Sequence, residues 1–422
     1  MNNFDLALQL LSDNIAMFFV AFGICFVATP LMRVIAVRNG IVDWPDIDRK
    51  NHVGPVAYLG GVSLFLAWFG AVTVCYFRNP TGTVTPHLIS LAFGAICITL
   101  TGLCDDIYGI SPRVKIGGMF LAAGGLALSS QRLGTLLVKH SFGAVGLPIG
   151  DLVAYILGAA LIGLIVLGGC NAVNLLDGLD GLASGVCAIA CLGLLVICFS
   201  AVGQTPTSND SVRFIMCLTI LGALLGFLPY NFNPANIFLG DAGSLLLGYL
   251  CASTIVVFAD QPKLVVAALV VFALPITDTA LAIFRRKMRR QPVFMPDNQH
   301  IHHQLLRVMN HAGFRPSTSI KLSVMVMYLL ALVFTVLGCS LVFLRWRFVM
   351  AVAAPLFAFV VVGAYKVGQR QSLAATTSGQ TSGQQLQRES GPEQPAPTHQ
   401  PTETGDPPAG TSTMAWGQRG HQ

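Results

Sequence analysis

The chain has 422 residues, of which 54% are hydrophobic and only 10% charged, against roughly a quarter charged in an ordinary soluble domain. That imbalance excludes a water-soluble globular fold. The net charge of +6 is modest, and the basic residues lie between apolar runs instead of forming a stripe with aromatics, which argues against nucleic acid as a partner.

The first apolar run, at 14–37, follows MNNFDLALQL. That segment lacks a basic n-region and a small-residue cleavage site, so the run is predicted to be a retained helix. Further apolar windows follow near 58–77, 86–103, 114–131, 152–171, 183–202, 212–230, 244–259, 263–284, 319–342 and 348–367. Windows of this length can cross a hydrocarbon core of roughly 30 Å as helices. The fourth and eighth are the weakest, being short and rich in Gly or interrupted by polar residues. The expected fold is therefore all-α, a polytopic integral membrane protein of about eleven transmembrane helices. The 11 cysteines include no C-x-x-C pair and fall mostly inside these windows, so they read as small buried hydrophobes. Residues 369–422, rich in Gln, Thr, Ser, Gly and Pro, are predicted to form a disordered cytoplasmic tail after a transmembrane domain at 1–368.

The loops after spans 1, 3, 5, 7 and 9 share one side of the membrane. They and the tail carry most of the Lys and Arg, including Arg113, Lys115 and the run Arg285–Arg290. The opposite loops hold fewer, among them Arg213 and Lys263. The positive-inside bias places the N-terminus outside and the C-terminus in the cytoplasm. All five polar, motif-like segments fall in those same odd-numbered loops, so they can build one cytoplasmic site.

Taken in order, DWPDIDRKNHVGP comes first. In CDDIYGISPRVK, Asp105 and Asp106 end span 3, and Arg113 and Lys115 begin span 4; alone, this could be a solvated helix end. In NAVNLLDGLDG, the spacing of Asp177 and Asp180 puts both carboxylates on one face if the segment is helical, and a capped helix start would explain them too. In NFNPANIFLGDAGS, Asp241 could be an ordinary N-cap, or a carboxylate with room around it for phosphate oxygens and a cation. The last segment contains HIHH. His300, His302 and His303 lack the partner ligands of a structural zinc site, and beside arginines they suit an anionic ligand better. The arginine run itself reads chiefly as an anchor on anionic lipid. Two unit charges about 4 Å apart repel by roughly 4 kcal/mol at an effective dielectric near 20, so five such aspartates cannot share a pocket as bare anions. Hard oxygen donors select Mg²⁺, with Mn²⁺ as a substitute. Carboxylates, a divalent cation and a basic histidine loop at a membrane face point to phosphate transfer onto a lipid. A cation-coupled transporter or flippase is the rival reading, but it calls for ionisable residues in mid-span, and these acids cluster at span ends.

Together, RKNHVGPVAYLGG, CDDIYGISPRVK, NAVNLLDGLDGLASG, FLPYNFNPANIFLGDAGSL and PDNQHIHHQLL resemble the ordered motifs of the polyprenyl-phosphate N-acetylhexosamine-1-phosphate transferase superfamily. The HIHHQLL form is similar to its undecaprenyl-phosphate N-acetylglucosamine-1-phosphate branch, not to the muramoyl-pentapeptide branch with its run of three histidines. The resemblance implies a Mg²⁺-dependent, cytoplasmic site in the bacterial plasma membrane, open sideways to the bilayer. There UDP-N-acetylglucosamine, or another UDP-N-acetylhexosamine, meets undecaprenyl phosphate; a homodimer is compatible with it. It implies that Asp241 and Asn174 hold Mg²⁺, that Lys115 contacts phosphate, and that Asp180 and Phe238 meet the uracil. It places Asp105 and Asp106 by the lipid phosphate, and His300, His302 and His303 on the sugar phosphate. Asp177 is expected to give catalytic support. Some members carry a third aspartate where this chain has Gly109, so a carboxylate there cannot be essential.

Overall fold

The first ten predicted spans each coincide with helix in the computed structural model, which describes residues 2–44, 55–78, 84–144, 146, 149–205, 207–288, 299–344 and 362. The helices are α1 (Asn3–Arg38), α2 (Gly60–Arg78), α3 (Thr85–Tyr108), α4 (Pro112–Ala144), α5 (Asp151–Leu176), α6 (Leu182–Ala201), α7 (Ser208–Asn231), α8 (Gly240–Val257), α9 (Pro262–Val271), α10 (Ala273–Met288), α11 (Ile301–His311) and α12 (Pro316–Phe343). Most of the eleventh predicted span and the whole predicted tail lie outside the described residues.

Among the described residues eight helices are long and apolar enough to cross a membrane, and α9 with α10 makes a ninth if that bent pair is one span. This is fewer than the eleven expected, for identifiable reasons. Helix α4 occupies the fourth predicted span and continues to Ala144, but it is less apolar than the eight and is not among them. The ninth span is broken, with its halves meeting at 72°. Pro275 explains the break: it has no N–H to give the Val271 carbonyl, and its ring crowds that carbonyl, whereas near the start of α10 neither matters.

Helix α8 has the weakest apolar signal of the eight because it faces protein instead of lipid. It packs against α2, α3, α5 and α7 and is almost wholly enclosed. Glycines allow this approach. A Cβ on Gly102 of α3 would lie 2.5 Å from the Ala242 Cα, and one on Gly61 of α2 would collide with the Gly243 backbone. At the far end of the bundle, Arg213 is not a solvated loop charge as its position suggested. It is fully buried, donating to Asp210 at 2.5 Å and to the Val257 carbonyl at 2.9 Å, and it is paired with Asp260.

Two short strands depart from the all-α expectation. β1 (Val42–Asp43) pairs antiparallel with β2 (Val56–Ala57), and Ala57 bridges in parallel to Ile237. This pairing ties the first polar loop to the segment that leads into α8.

Gly102→Ala is expected to cost about 1–3 kcal/mol of stability, as overpacking at a backbone contact does. Gly117→Ala, whose Cβ would meet nothing within 4 Å, is expected to be neutral or stabilising by up to about 1 kcal/mol through helix propensity. Thermal unfolding of the two purified variants in detergent checks the contrast.

Candidate active site

The described residues of the five polar segments meet at one end of the bundle, around the N-terminus of α8. The geometry starts with Gly109, which caps α3 in the left-handed conformation (φ +63°) and donates to the Asp105 carbonyl at 2.9 Å. Gly109, where the sequence resemblance allowed a third aspartate, is thus the residue that turns the chain back into α4. The turn brings Lys115 against Asp105, with its ammonium 2.9 Å from the carboxylate. The same ammonium pairs with Asp241 and lies 3.3 Å from the Asn174 amide oxygen. Asn174 in turn donates to the other Asp241 oxygen at 2.8 Å and to Ser244 at 2.9 Å.

Asp106 does something the sequence did not suggest. Its two oxygens accept the backbone N–H groups of Asp241 and Ala242 at 2.7 and 3.0 Å. It therefore caps α8 from another helix, satisfying donors that a helix start leaves open and meeting the positive end of the helix dipole. Gly240 is required twice here: its φ is +69°, and a Cβ would lie 2.7 Å from Asp106 Oδ2. Asp106 was expected beside a lipid phosphate; in the structure each of its oxygens accepts from backbone, and it also lines the adjacent cavity.

Beside this cluster opens a cavity of about 300 Å³, lined by Asp106, Asn174, Asp177, Asp180, Phe238 and Asp241 among the expected residues. Asp43 and Tyr58 also line it. They were missed because only the β1–β2 pairing brings them here. One Asp180 oxygen accepts from Asn233 at 2.8 Å and from the Ala235 N–H at 3.0 Å, holding the turn before α8. Phe238 stands across the cavity with its ring 6.1 Å from that of Tyr58. Asp177 follows the last turn of α5, and its carboxyl has no hydrogen bond or ion pair among the described residues. Burial, and then the charges of Asp241, Asp106 and Asp180, raise its pKa well above the ordinary carboxylate value.

Asp105, Lys115 and the three histidines do not line the cavity. The histidines cluster on α11 and its cap, with ring centroids 4.2 to 6.2 Å apart. They reach the cavity wall through His302, whose Nε2 occupies the space a Gly178 side chain would need. His302 is buried, neither ring nitrogen is hydrogen-bonded among the described residues, and burial, helped by His303, lowers its pKa to about 3. Asp278 of α10, which sequence reasoning passed over, holds His300 at 2.9 Å. An acid inside an apolar span was the signal available for it. Arg285 and Arg286 are buried, so they do not serve as the expected surface anchor on lipid; Arg289 and Arg290 lie outside the described residues.

A metal can be tested against these donors. Among the described residues no group of three or more His, Cys, Asp or Glu has metal-binding geometry. Asp105, Asp241 and the Asn174 oxygen nevertheless converge on one positive charge, the Lys115 ammonium. Hard oxygens with at most two carboxylates suit Mg²⁺, which normally completes its shell with water and phosphate.

The family model described as Glycosyl transferase family 4 matches residues 88–259. A Bacillus subtilis (strain 168) protein named probable undecaprenyl-phosphate N-acetylglucosaminyl 1-phosphate transferase is 31% identical over 333 residues, covering 76% of this chain and 82% of the relative. Decaprenyl-phosphate N-acetylglucosaminephosphotransferase of Mycobacterium tuberculosis (strain ATCC 25618 / H37Rv) is 32% identical, covering 68% and 74%. Undecaprenyl-phosphate alpha-N-acetylglucosaminyl 1-phosphate transferase of Yersinia pestis is 29% identical, covering 84% and 91%.

The raised pKa of Asp177 has a signed consequence. The folded chain holds this proton more tightly than the unfolded chain, so stability falls as pH rises above the unperturbed value of 3.8. Asp177→Asn removes the effect. In chelator, its melting temperature is expected to exceed that of the parent by a margin that grows from pH 4 to pH 8; a margin independent of pH would contradict this.

Proposed function

The chain belongs to glycosyl transferase family 4, and we propose that it transfers N-acetylglucosamine-1-phosphate from UDP-N-acetylglucosamine to undecaprenyl phosphate, releasing UMP. The observation that carries this reading is the convergence of Asp105, Asp241 and Asn174 on Lys115 at the rim of a cavity walled by Asp180 and Phe238. Relatives of similar identity are named for undecaprenyl and for decaprenyl carriers. A relative whose match covers 84% of this chain is named for undecaprenyl, which supports that carrier. The excess of basic residues in the loops at this end supports a cytoplasmic site in a bacterial plasma membrane.

One phosphoanhydride is exchanged for another, so catalysis consists mainly of alignment and charge neutralisation. Asp241 and Asn174 would hold Mg²⁺, which when bound offsets the repulsion between two phosphorylated substrates and stabilises the leaving UMP. Lys115 supplies a fixed positive charge for a phosphate oxygen. Asp106 orients Asp241 by anchoring the start of α8. Phe238 offers a face for the uracil, and the Asp180 oxygen not used by the 233–235 turn accepts from its N–H. Asp105 holds Lys115 in place. Asp177 is the cavity carboxyl free to take a proton from the lipid phosphate, since a carboxyl with a raised pKa is a better base near neutrality. The lipid phosphate attacks the β-phosphorus in line, with no phosphorylated aspartate between.

The test is the purified chain with undecaprenyl phosphate and a panel of UDP-sugars, following UMP. Release is expected with UDP-N-acetylglucosamine, only with Mg²⁺ or Mn²⁺, and Asp241→Asn is expected to abolish it with the fold intact. No UMP from any sugar would refute the reading, and a covalent adduct on Asp105 or Asp241 would refute the single step.

A further inference from the structure

Asp278 sits in the second turn of α10, just past the break at Phe272, and is 1% exposed. Its two oxygens are divided between two partners. Oδ2 lies 2.9 Å from His300 Nδ1, and Oδ1 accepts the backbone N–H of Ile301 at 2.9 Å. His300 is the N-cap of α11, but its own side chain makes no capping bond. The cap of α11 is therefore supplied across space by the same carboxylate that grips the His300 ring.

We infer that Asp278 is a positioning residue for the transfer reaction: it fixes His300 with the proton on Nδ1 and leaves Nε2 as the ring atom presented to substrate. A carboxylate can only accept, so Nδ1 must carry the hydrogen whatever the charge on the ring. His300 Nε2 has no hydrogen-bond partner among the described residues. The His300 ring lies parallel to that of His302, 9° between planes and 5.7 Å between centroids, and His302 abuts Gly178 at the cavity wall. Asp278 thus reaches the cavity through two stacked rings. Because Nδ1 is committed, Nε2 is the one ring nitrogen left for a further hydrogen bond.

The role assigned to His300 rests on the proposed transferase reading, but the tautomer does not, so the two can fail separately. Asp278→Asn separates positioning from capping. The amide oxygen can still accept from Ile301, while the amide N–H₂ facing His300 forces Nδ1 to become the acceptor and moves the proton to Nε2. Nitrogen NMR of histidine-labelled protein in detergent, with His300 assigned by loss of its signals in His300→Gln, reads this directly. The parent is expected to show the Nδ1–H form and Asp278→Asn the Nε2–H form, with thermal unfolding close to the parent's. In UMP-release assays, kcat is expected to fall about tenfold with the donor KM within about threefold, as when a charge-assisted hydrogen bond becomes a neutral one. Asp278→Glu, which keeps an acceptor on Nδ1, is expected to recover part of the loss. His300 with its proton on Nε2 in the parent, or Asp278→Asn with parental kcat, would overturn the proposal. A parent that shows the Nδ1–H form but releases no UMP would count against the transferase reading alone.

Discussion

Carboxylates gathered where several helices end in a poorly polarisable interior must each be neutralised, bound to backbone or left protonated; the site depends on how this chain meets that constraint. Each acid meets it differently. Lys115 lies between Asp105 and Asp241. Asp106 spends its charge on the N-terminus of α8, and Asp180 on the turn that precedes it. Asp278 faces His300 and the start of α11. The Asp177 carboxyl has no hydrogen bond or ion pair among the described residues, and burial together with the neighbouring carboxylates raises its pKa. At roughly 4 kcal/mol for two charges 4 Å apart at an effective dielectric near 20, no arrangement of unpaired anions would hold together here.

The architecture follows from the same requirement. Two of these solutions use the first turn of α8, so α8 has to stand at the centre and keep a fixed height relative to α3 and α5. Contacts through Gly102 of α3 and through Gly248 of α8, where a Cβ would lie 2.5 Å from the Cys170 Cα of α5, hold it there, because backbone against backbone leaves no side chain to change rotamer. The break in the ninth span serves the same end. By turning α10 away from α9 it brings Asp278 to the loop that carries the histidines.

Much of this was legible in the sequence. Ten apolar windows fell on helix, and eight or nine of these are candidate membrane spans among the described residues, because a bilayer demands long runs and tolerates few exceptions. The parity of the polar loops put five segments on one side, and the structure brings residues from all five to one end. Pairings were not legible. Nothing in CDD says that the first aspartate meets a lysine while the second caps a distant helix, since those partners are 10 and 135 residues away. Arg213 and Arg285 looked like surface charges because a window cannot see which face of a helix is covered. Asp278 was not legible because it lies inside an apolar window, and the bend at Phe272 brings it to the site. Asp43 and Tyr58 needed the short β1–β2 pairing, too brief to leave a periodic signal.

The central claim is that Asp241 and Asn174 form a cation site that Lys115 prefigures. Manganese EPR on the purified chain with UDP present tests it most directly. One tightly bound Mn²⁺ per chain is expected, displaced by Mg²⁺ and lost in both Asn174→Ala and Asp241→Asn. Mn²⁺ bound equally well by the parent and both variants would contradict it.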